Sequence, residues 1–509
     1  MDGISRRQML ANGVAAILAG GIVSTPVAGS EVARGPTVYV GARRQSTEGA
    51  LLALDATNGA EQWSFNTEGA IESSPTVVDG TVYVGSNAGV YPHVYAVDAE
   101  TGEEEWSTQV EDHVGLSSPT VVDGLVFIGC GEGNVYALDA ADGTERWSVD
   151  TPRAVGGSPT VVDGTVYFNS GNSPYVDDPA HLYALDAACG SMQWSTEFES
   201  IRGGESSPTV ADGMVYVGNL NDHLYAVDAD TGDVEWSVDT GAGVRSSPTV
   251  VDGRVFVGSG GRTVDDGVGT RGLLVALDAD DGTPLWEFEV PDGITVSSPT
   301  VVDGTVIVGG TSGSKDSVIA VDVVTGQQQW GYGEAGEASS VVSSPTVANG
   351  MVFVKDQNGT LYALSPGSGS VVWSTSVGGS PSSPTVVDDP GGGDSVDSRV
   401  LLGTLGHHHA AAGEGIDTDD DCPADESGSD DERGDDDPDE PRDRDPDDEP
   451  ADGDSDDEPD DDASYEYSVD GDFEVPGFGV PAALAGLAGA GYLLRRQSRD
   501  DETEPEPEQ

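Results

Sequence analysis

The sequence predicts an all-β fold, an eight-bladed β-propeller whose blades are four-stranded antiparallel sheets. Two observations support this prediction: all eight tryptophans of the 509-residue chain fall on one repeated unit, and a second signature, Ser-Pro-Thr, also occurs eight times. Successive tryptophans are 43, 41, 47, 42, 50, 44 and 43 residues apart. Four short strands in a period of about 40 to 50 residues make up one propeller blade.

The tryptophan unit has the form Ala-x-Asp-x-x-x-Gly-x-x-x-Trp, and only its eighth copy departs from it, with Ser365 in the Asp place. Short Asp side chains bond to nearby backbone in turns, so we assign the repeated Asp residues to turn structure. The unit tryptophans are Trp63, Trp106, Trp147, Trp194, Trp236, Trp286, Trp330 and Trp373. The unit glycines are Gly59, Gly102, Gly143, Gly190, Gly232, Gly282, Gly326 and Gly369.

One period can be divided into strands. Residues 74–78 and 81–85 are β-rich runs on either side of Asp79-Gly80, a strong hairpin dipeptide. Residues 94–98 form a third run, and a fourth surrounds the tryptophan after a turn in which glycine supplies a positive φ. The period therefore contains four strands.

The two ends of the repeat array complete each other. No Ser-Pro-Thr copy precedes the first tryptophan unit, and no tryptophan unit follows the last copy at residues 383–385. A C-terminal strand that joins blade one closes the ring and removes the open sheet edges of a linear array.

The tryptophan unit resembles the tryptophan-docking motif of PQQ-like propellers over about residues 36–406. This family includes quinoprotein alcohol dehydrogenases and the assembly lipoprotein BamB. The resemblance implies that each tryptophan packs between neighbouring blades near the motif glycine, so we assign the eight tryptophans a structural role.

Two functions are compatible with this family. Its dehydrogenases hold PQQ over a tryptophan floor, in many members with an adjacent-cysteine disulfide, beside calcium and a catalytic Asp. The three cysteines here, Cys130, Cys189 and Cys422, are far apart in sequence, and the docking unit uses every tryptophan. We therefore expect a binding or scaffold protein, similar in kind to BamB, with no cofactor and no catalytic residue. The alternative is a PQQ-dependent quinoprotein dehydrogenase.

The charge is strongly acidic, with 21 Lys and Arg against 92 Asp and Glu, a net charge of -71. Such a surface repels nucleic acid, which is therefore excluded as a partner. The composition indicates adaptation to strong brine, and the alternative is dedicated cation binding.

Residues 1–33 have the pattern of a Tat-type export signal. The twin arginines Arg6 and Arg7 precede an apolar run of small residues, which ends at about residue 23. The alternative is an N-terminal membrane helix that is retained.

The C-terminal region divides into three parts. Residues 407–475 form an acidic stalk, predicted to be disordered because 32 Asp and Glu between residues 414 and 475 oppose three Arg. Residues 476–496 begin with Pro-Gly-Phe and resemble the PGF-CTERM signal of archaeal surface proteins, which an archaeosortase replaces with a lipid; the alternative is a retained single-pass anchor. Residues 497–509 are predicted to be a cytoplasmic acidic tail, because arginines that follow a membrane segment favour the cytoplasmic side. We expect a protein anchored at the outer face of the cell membrane or in the wall.

The candidate ligand face follows from strand direction. Loops between second and third strands vary in length and share one face with the connections between blades, which is the usual location for binding. Arg43, Arg44, Arg262 and Arg271 fall in its insertions and form the candidate site, with solubilising charge as the alternative. We assign no metal site; His407, His408 and His409 are only a weak candidate. The expected partner is a protein or envelope component, and the propeller is expected to be monomeric.

Overall fold

The computed structural model describes residues 35–387 apart from residues 46–47, 88–91, 132, 172–178, 199–204, 261, 264–269, 292, 295, 312–315 and 334–338. Within these residues all regular structure is β, in eight antiparallel sheets. The predicted export signal, stalk, anchor and tail, with Arg6, Arg7 and the three consecutive histidines, lie outside the described residues.

Blades one to four each contain four strands. Blade one consists of β1 (Thr37–Gln45), β2 (Glu48–Asp55), β3 (Glu61–Thr67) and, from the far end of the chain, β33 (Thr385–Val387). Blade two consists of β4 (Thr76–Val78), β5 (Thr81–Gly85), β6 (His93–Asp98) and β7 (Glu104–Gln109). Blade three consists of β8 (Thr120–Val122), β9 (Leu125–Gly129), β10 (Asn134–Asp139) and β11 (Glu145–Asp150). Blade four consists of β12 (Thr160–Val162), β13 (Thr165–Ser170), β14 (His181–Asp186) and β15 (Met192–Glu197).

Blades five to eight repeat this order, and blade six has one additional strand. Blade five consists of β16 (Thr209–Ala211), β17 (Met214–Gly218), β18 (His223–Asp228) and β19 (Val234–Asp239). Blade six consists of β20 (Thr249–Val251), β21 (Arg254–Gly258), β22 (Arg262–Thr263), β23 (Thr270–Asp278) and β24 (Pro284–Pro291). Blade seven consists of β25 (Thr300–Val302), β26 (Thr305–Gly309), β27 (Val318–Asp322) and β28 (Gln328–Tyr332). Blade eight consists of β29 (Thr346–Ala348), β30 (Met351–Lys355), β31 (Thr360–Leu364) and β32 (Val371–Ser376).

The hairpins between first and second strands have the predicted turn chemistry. Asp79 and Gly80 have φ values of 50° and 83°, the two successive positive angles that a type I′ turn requires. Asn349 and Gly350 also have two successive positive φ values in the corresponding turn of blade eight. This turn matches the twist of the flanking strands.

The hydrophobic core lies between the blades. It divides into eight clusters, each built from the facing sheets of two neighbouring blades. The cluster between blades eight and one packs Val38 and Leu52 against Phe353 and Leu361. Each blade thus buries its apolar faces only against its two neighbours, as in other repeat proteins.

The ring is closed as the sequence predicts. β33 pairs antiparallel with β1, with Thr37 opposite Val387, and so supplies the first strand of blade one. The first strands of neighbouring blades contact one another all the way round, including β33 with β4. The eight-bladed fold and its closure by a C-terminal strand are confirmed.

Two circles of hydrogen bonds run through the Ser-Pro-Thr segments. The amide of the serine before each proline donates to the corresponding serine hydroxyl of the next blade at 2.8–3.0 Å, and Ser383 returns the circle to Ser74. Each threonine hydroxyl donates to the next blade's proline carbonyl at 2.5–2.6 Å, and Thr385 closes this circle on Pro75. The repeated signature therefore links the blades around the axis.

Candidate functional site

The eight tryptophans fasten each blade to the next. Every indole N–H donates to a backbone carbonyl of the following blade at 2.7–3.1 Å, and Trp373 of blade eight reaches Ala56 of blade one. The indole ring covers the unit glycine of that blade, where an added Cβ would lie within 2.9 Å of the ring. All sixteen residues of the predicted docking set thus occupy blade junctions.

The two faces of the ring differ in construction. The short-turn face carries the Asp-Gly hairpins and the tryptophan-unit turns, which meet where the Ala99 amide donates to the Gly80 carbonyl at 2.8 Å. Thr37 and Val387 also lie at this face, because β1 begins and β33 ends there. The variable-loop face carries the loops between second and third strands and the connections between blades.

The structure places the four candidate arginines on two separate blades. Arg43 and Arg44 belong to β1 of blade one, where part of the predicted loop insertion is instead strand. Arg43 forms an ion pair with Glu72, and Arg44 Nη1 donates to Asn66 Oδ1 at 3.1 Å. Arg262 and Arg271 stand opposite each other between β22 and β23 of blade six. The pairs share the variable-loop face, but blades seven and eight separate them.

Two acid–base pairs lie at the variable-loop end of the propeller axis. Glu72, Glu205 and Arg245 each stand two residues before a serine of the axial circle. Glu205 and Arg245 form a largely buried ion pair at 3.1 Å. Burial raises the pKa of the Glu205 carboxyl, and Arg245 opposes this shift. Glu72 is also bonded by the Asn87 amide at 2.7 Å. Charged groups are thus concentrated at this end of the propeller axis.

Lys355 is the third feature of this region, and sequence reasoning missed it. It ends β30 and is fully buried, and its Nζ donates to the Gly41 carbonyl at 2.6 Å and to Ser380 Oγ at 2.7 Å. Burial lowers the pKa of the Lys355 ammonium to about 7, although Glu72 and Asp356 oppose the shift. The sequence did contain a signal, because six other blades have glycine at this repeat position.

Three of the four histidines in the described residues have strand-edge positions; the fourth, His113, lies in a loop beside Asp112. His93, His181 and His223 each begin a third strand, and each ring lies against the tyrosine two residues further on. Among the residues that the structure describes, no group of three His, Cys, Asp or Glu side chains is arranged to hold a metal ion. Nor does this part of the chain contain a helix of the length and apolarity needed to cross a bilayer.

Cys130 and Cys189 are free thiols in different environments. Cys130 follows β9 on the variable-loop face and is fully buried, which raises the pKa of its thiol. Cys189 lies in the turn between β14 and β15 on the short-turn face and is partly exposed.

We expect iodoacetamide to label Cys189 in the native protein and to spare Cys130, because a buried thiol is neither accessible nor ionised. Peptide mass mapping after timed labelling measures this, and labelling in guanidinium serves as the control for reactivity. Recovery of a Cys130–Cys189 crosslink under non-reducing conditions would contradict the assignment of the two faces, because a disulfide requires Cα atoms within about 7 Å.

Comparison with known proteins agrees with this architecture of docked blades. The chain is a β-propeller built from PQQ-type repeats. Four overlapping matches, to residues 18–120, 93–200, 178–266 and 259–400, place it in the family described as outer membrane protein assembly factor BamB, and the chain belongs to that family. A PGF-CTERM motif, which indicates a C-terminally anchored surface protein, covers residues 475–497.

The similar curated proteins are of two kinds. The outer membrane protein assembly factor BamB of Moranella endobia is 34% identical over 131 residues, 23% of this chain and 33% of that protein. The quinohemoprotein alcohol dehydrogenase of Comamonas testosteroni is 44% identical over 78 residues, 14% of this chain and 10% of that protein. The chain thus matches a third or less of the length of these relatives.

Solved structures of both kinds are also similar. BamB from Moraxella catarrhalis has a TM-score of 0.48 at 19% identity, over 60% of this chain and 88% of its own. The quinohemoprotein alcohol dehydrogenase from Comamonas testosteroni has a TM-score of 0.47 at 17% identity, over 61% of this chain and 68% of its own.

Proposed function

We propose that this chain is a non-enzymatic binding or scaffold protein of the cell surface, which receives a protein or another envelope component on the variable-loop face. The observation that carries the proposal is the face on which the last described strand ends. β33 ends at Val387 on the short-turn face, and the PGF-CTERM motif comes later in the chain, at residues 475–497. A tether that starts on the short-turn face leaves the variable-loop face free for a partner.

The construction of the two faces supports the same choice. The short-turn face repeats the same turns, and the tryptophan units there are occupied by blade docking. The variable-loop face contains the irregular features of the chain: the extra strand β22, the Glu205–Arg245 pair and the arginines of blades one and six. Irregular loops on a rigid scaffold are the usual place for recognition.

The residues present do not fit PQQ. A quinone sandwich needs an indole face that is open to the channel. Each of the eight indoles of this chain donates its N–H to the next blade and covers a glycine there. None is left to stack on a cofactor, so the structure favours binding over dehydrogenase chemistry.

The purified protein is therefore expected to retain no PQQ after reconstitution with calcium, and to oxidise no alcohol or sugar with a quinone as acceptor. Absorbance of the dialysed protein measures retention, and dye reduction measures turnover. The Comamonas quinohemoprotein alcohol dehydrogenase is the positive control. Stoichiometric PQQ, or turnover that depends on it, would refute the binding proposal in favour of the dehydrogenase.

A capture experiment tests whether the partner binds to the variable-loop face. The protein is immobilised and incubated with envelope extract in strong brine, and the bound material is quantified by mass spectrometry. Replacement of Arg44, Arg262 and Arg271 by Ser is expected to lower recovery of the partner several-fold. Arg146→Ser is the matched control, because Arg146 is an exposed arginine on the short-turn face and pairs with Asp139. Loss of the partner with Arg146→Ser but not with the triple variant would place the site on the other face.

A further inference from the structure

Six of the eight blade junctions share one packing device. The fifth residue of the second strand is glycine, and a branched side chain from the connection that follows the same blade lies on it. A Cβ added to that glycine would come within 2.6 Å of the branched residue. The pairs are Gly41 with Ile71, Gly85 with Val114, Gly129 with Val155, Gly218 with Val244, Gly258 with Ile294, and Gly309 with Val341. The device is apolar and close-packed, and it requires the small residue on the strand.

The junction between blades eight and one reverses this arrangement. The strand position carries the long side chain of Lys355, and the connection carries the small Ser380 in place of the branched residue. Lys355 Nζ bonds to Ser380 Oγ at 2.7 Å and crosses to the Gly41 carbonyl of blade one at 2.6 Å. Ser380 Oγ also reaches that carbonyl at 3.0 Å, and Ser382 Oγ accepts from the Gly41 amide at 2.9 Å. The bond from the Gly41 amide recurs in other blades, as from Gly85 to Ser73 Oγ, whereas the two side-chain bonds to the Gly41 carbonyl are particular to this junction among those described.

This reversal places a charged group where the other junctions have apolar packing. The lysine is completely buried, and its nearest opposite charges are Glu72, which is itself paired with Arg43, and Asp356, which accepts from the Tyr362 hydroxyl. Burial of an ammonium is unfavourable, and an apolar replacement of similar shape is often neutral or stabilising. The best-attested role of such a group is to fix register among alternatives that are otherwise alike.

Such alternatives exist here because the blades resemble one another. The axial serine and threonine bonds and the tryptophan docking are the same at every junction, so they do not distinguish blade eight from blade seven as the neighbour of blade one. Repeat proteins misassemble through near-equivalent pairings of this kind. Blade four has Asn169 at this strand position, and residues 199–204 of its connection lie outside the described residues. Among the junctions whose connections the structure describes at this point, only the last has a polar side chain that extends from the second strand to the carbonyl of the next blade and bonds to a serine on the connection.

We propose that Lys355, Ser380 and Gly41 form a closure key, which selects blade eight as the closing partner of blade one and excludes rings that close with a blade left out. Lys355 and Ser380 belong to the key through their side chains, and Gly41 through its backbone. The key acts during folding, and it lowers the stability of the finished ring.

The test is the double variant Lys355→Gly with Ser380→Val, which restores the device of the six other junctions. The full chain is unfolded in guanidinium and refolded in brine with mild detergent. The fraction recovered as native monomer is measured by size exclusion with light scattering and by resistance to limited proteolysis. We expect the native double variant to melt at the same or a higher temperature than the wild type, and its refolding yield to fall at least twofold. A refolding yield equal to that of the wild type would overturn the proposal.

The variant Lys355→Met tests whether Lys355 directs ring closure during folding or only stabilises the closed ring. It replaces the ammonium by an apolar side chain of similar length, and the Gly41 carbonyl keeps the Ser380 hydroxyl as a donor. We therefore expect its refolding yield to fall while its melting temperature changes little. If Lys355→Met lowered the melting temperature but refolded in full yield, Lys355 would be a stabilising contact only, and the key would be refuted.

The pH dependence provides a second readout on native molecules. The folded pKa of Lys355 lies near 7 and the unfolded pKa near 10.5, so the unfolded chain binds more protons between these values. The stability of the wild type must therefore rise relative to that of the double variant as pH increases from 7 to 10.5. Since the acidic surface is common to both proteins, their difference in melting temperature isolates the lysine. If this difference in melting temperature did not change with pH, burial of the Lys355 ammonium would not destabilise the folded protein, and that part of the argument would be refuted.

Discussion

A chain that ends at residue 375 is expected to aggregate, whereas one that ends at residue 410 folds as a soluble monomer in strong brine. The shorter chain lacks β33, and with it the first strand of blade one. It loses the bonds of Ser383 and Thr385 that close both axial circles. It also loses Val386 and Val387, which are buried in the clusters on either side of blade one.

The expected effect is large on the scale of a folded protein. Full burial of a valine contributes about 1.5–3 kcal/mol, so the two valines account for about 3–6 kcal/mol. A typical domain has a net stability of only about 5–15 kcal/mol. The cut also exposes the edge of β1 and the open face of blade eight, and unpaired edges recruit other chains.

Circular dichroism, light scattering and thermal melting of the two chains in the same brine measure the difference. Partition of the full chain with membranes serves as the comparison for the C-terminal segment. Should the chain ending at 375 prove as soluble and as stable to heat as the longer one, closure by β33 would not be what stabilises the ring.

The second large effect is expected from Gly143→Ala, which tests tryptophan docking without removing a tryptophan. Gly143 has a φ of 71°, and an added Cβ would lie 2.5 Å from the ring of Trp106 and 2.5 Å from Thr108 Oγ1. The ring is held by the indole bond to the Ala140 carbonyl at 2.9 Å and is nearly buried, so it has little room to move. Overpacking of this kind costs about 1–3 kcal/mol, and the left-handed backbone adds about 1–2 kcal/mol.

Gly124→Ala is the matched control in the same blade. Gly124 has a φ of 79°, and nothing lies within 4 Å of an added Cβ. Gly124→Ala is therefore expected to lower the free energy of unfolding only through the strained left-handed backbone, by about 1–2 kcal/mol. Guanidinium unfolding of both variants measures the difference. Equal losses of stability would mean that the indole does not clamp the glycine and that docking contributes little to the junction.

The fold was predictable because its determinants are local and repeated. Asp79-Gly80 specifies a hairpin by its own backbone preference, and the period of the tryptophans specifies the blade. The first tryptophan unit lacks a Ser-Pro-Thr strand before it and the last Ser-Pro-Thr strand lacks a tryptophan unit after it. This predicted the closure, because the two incomplete ends together make one blade. Each of these inferences needed only a few neighbouring residues or a count of repeats.

The site was less predictable because its contacts join distant residues. Lys355 and Gly41 are 314 positions apart. A lysine where six other blades have glycine marks Lys355 as unusual, but the sequence does not indicate Gly41 as its partner. The circle of serine hydrogen bonds could not be predicted for a different reason. Ser74 and its equivalents belong to a repeated signature that a strand alone explains, and their bonds form only between neighbouring blades. The four arginines fell on the predicted face, but their division between blades one and six depends on the ring.

The position of Val387 has a mechanical consequence. β33 runs from the variable-loop face to the short-turn face, and the chain continues from its last residue. A pull on the following segment, with the opposite face held by a bound partner, acts along the axis of β33. The strand is then loaded in shear, so the bonds of Val387 to Thr37, the Thr385 hydroxyl and the Ser383 amide resist together instead of rupturing in turn. Attachment through this strand should allow the ring to bear tension without being peeled open.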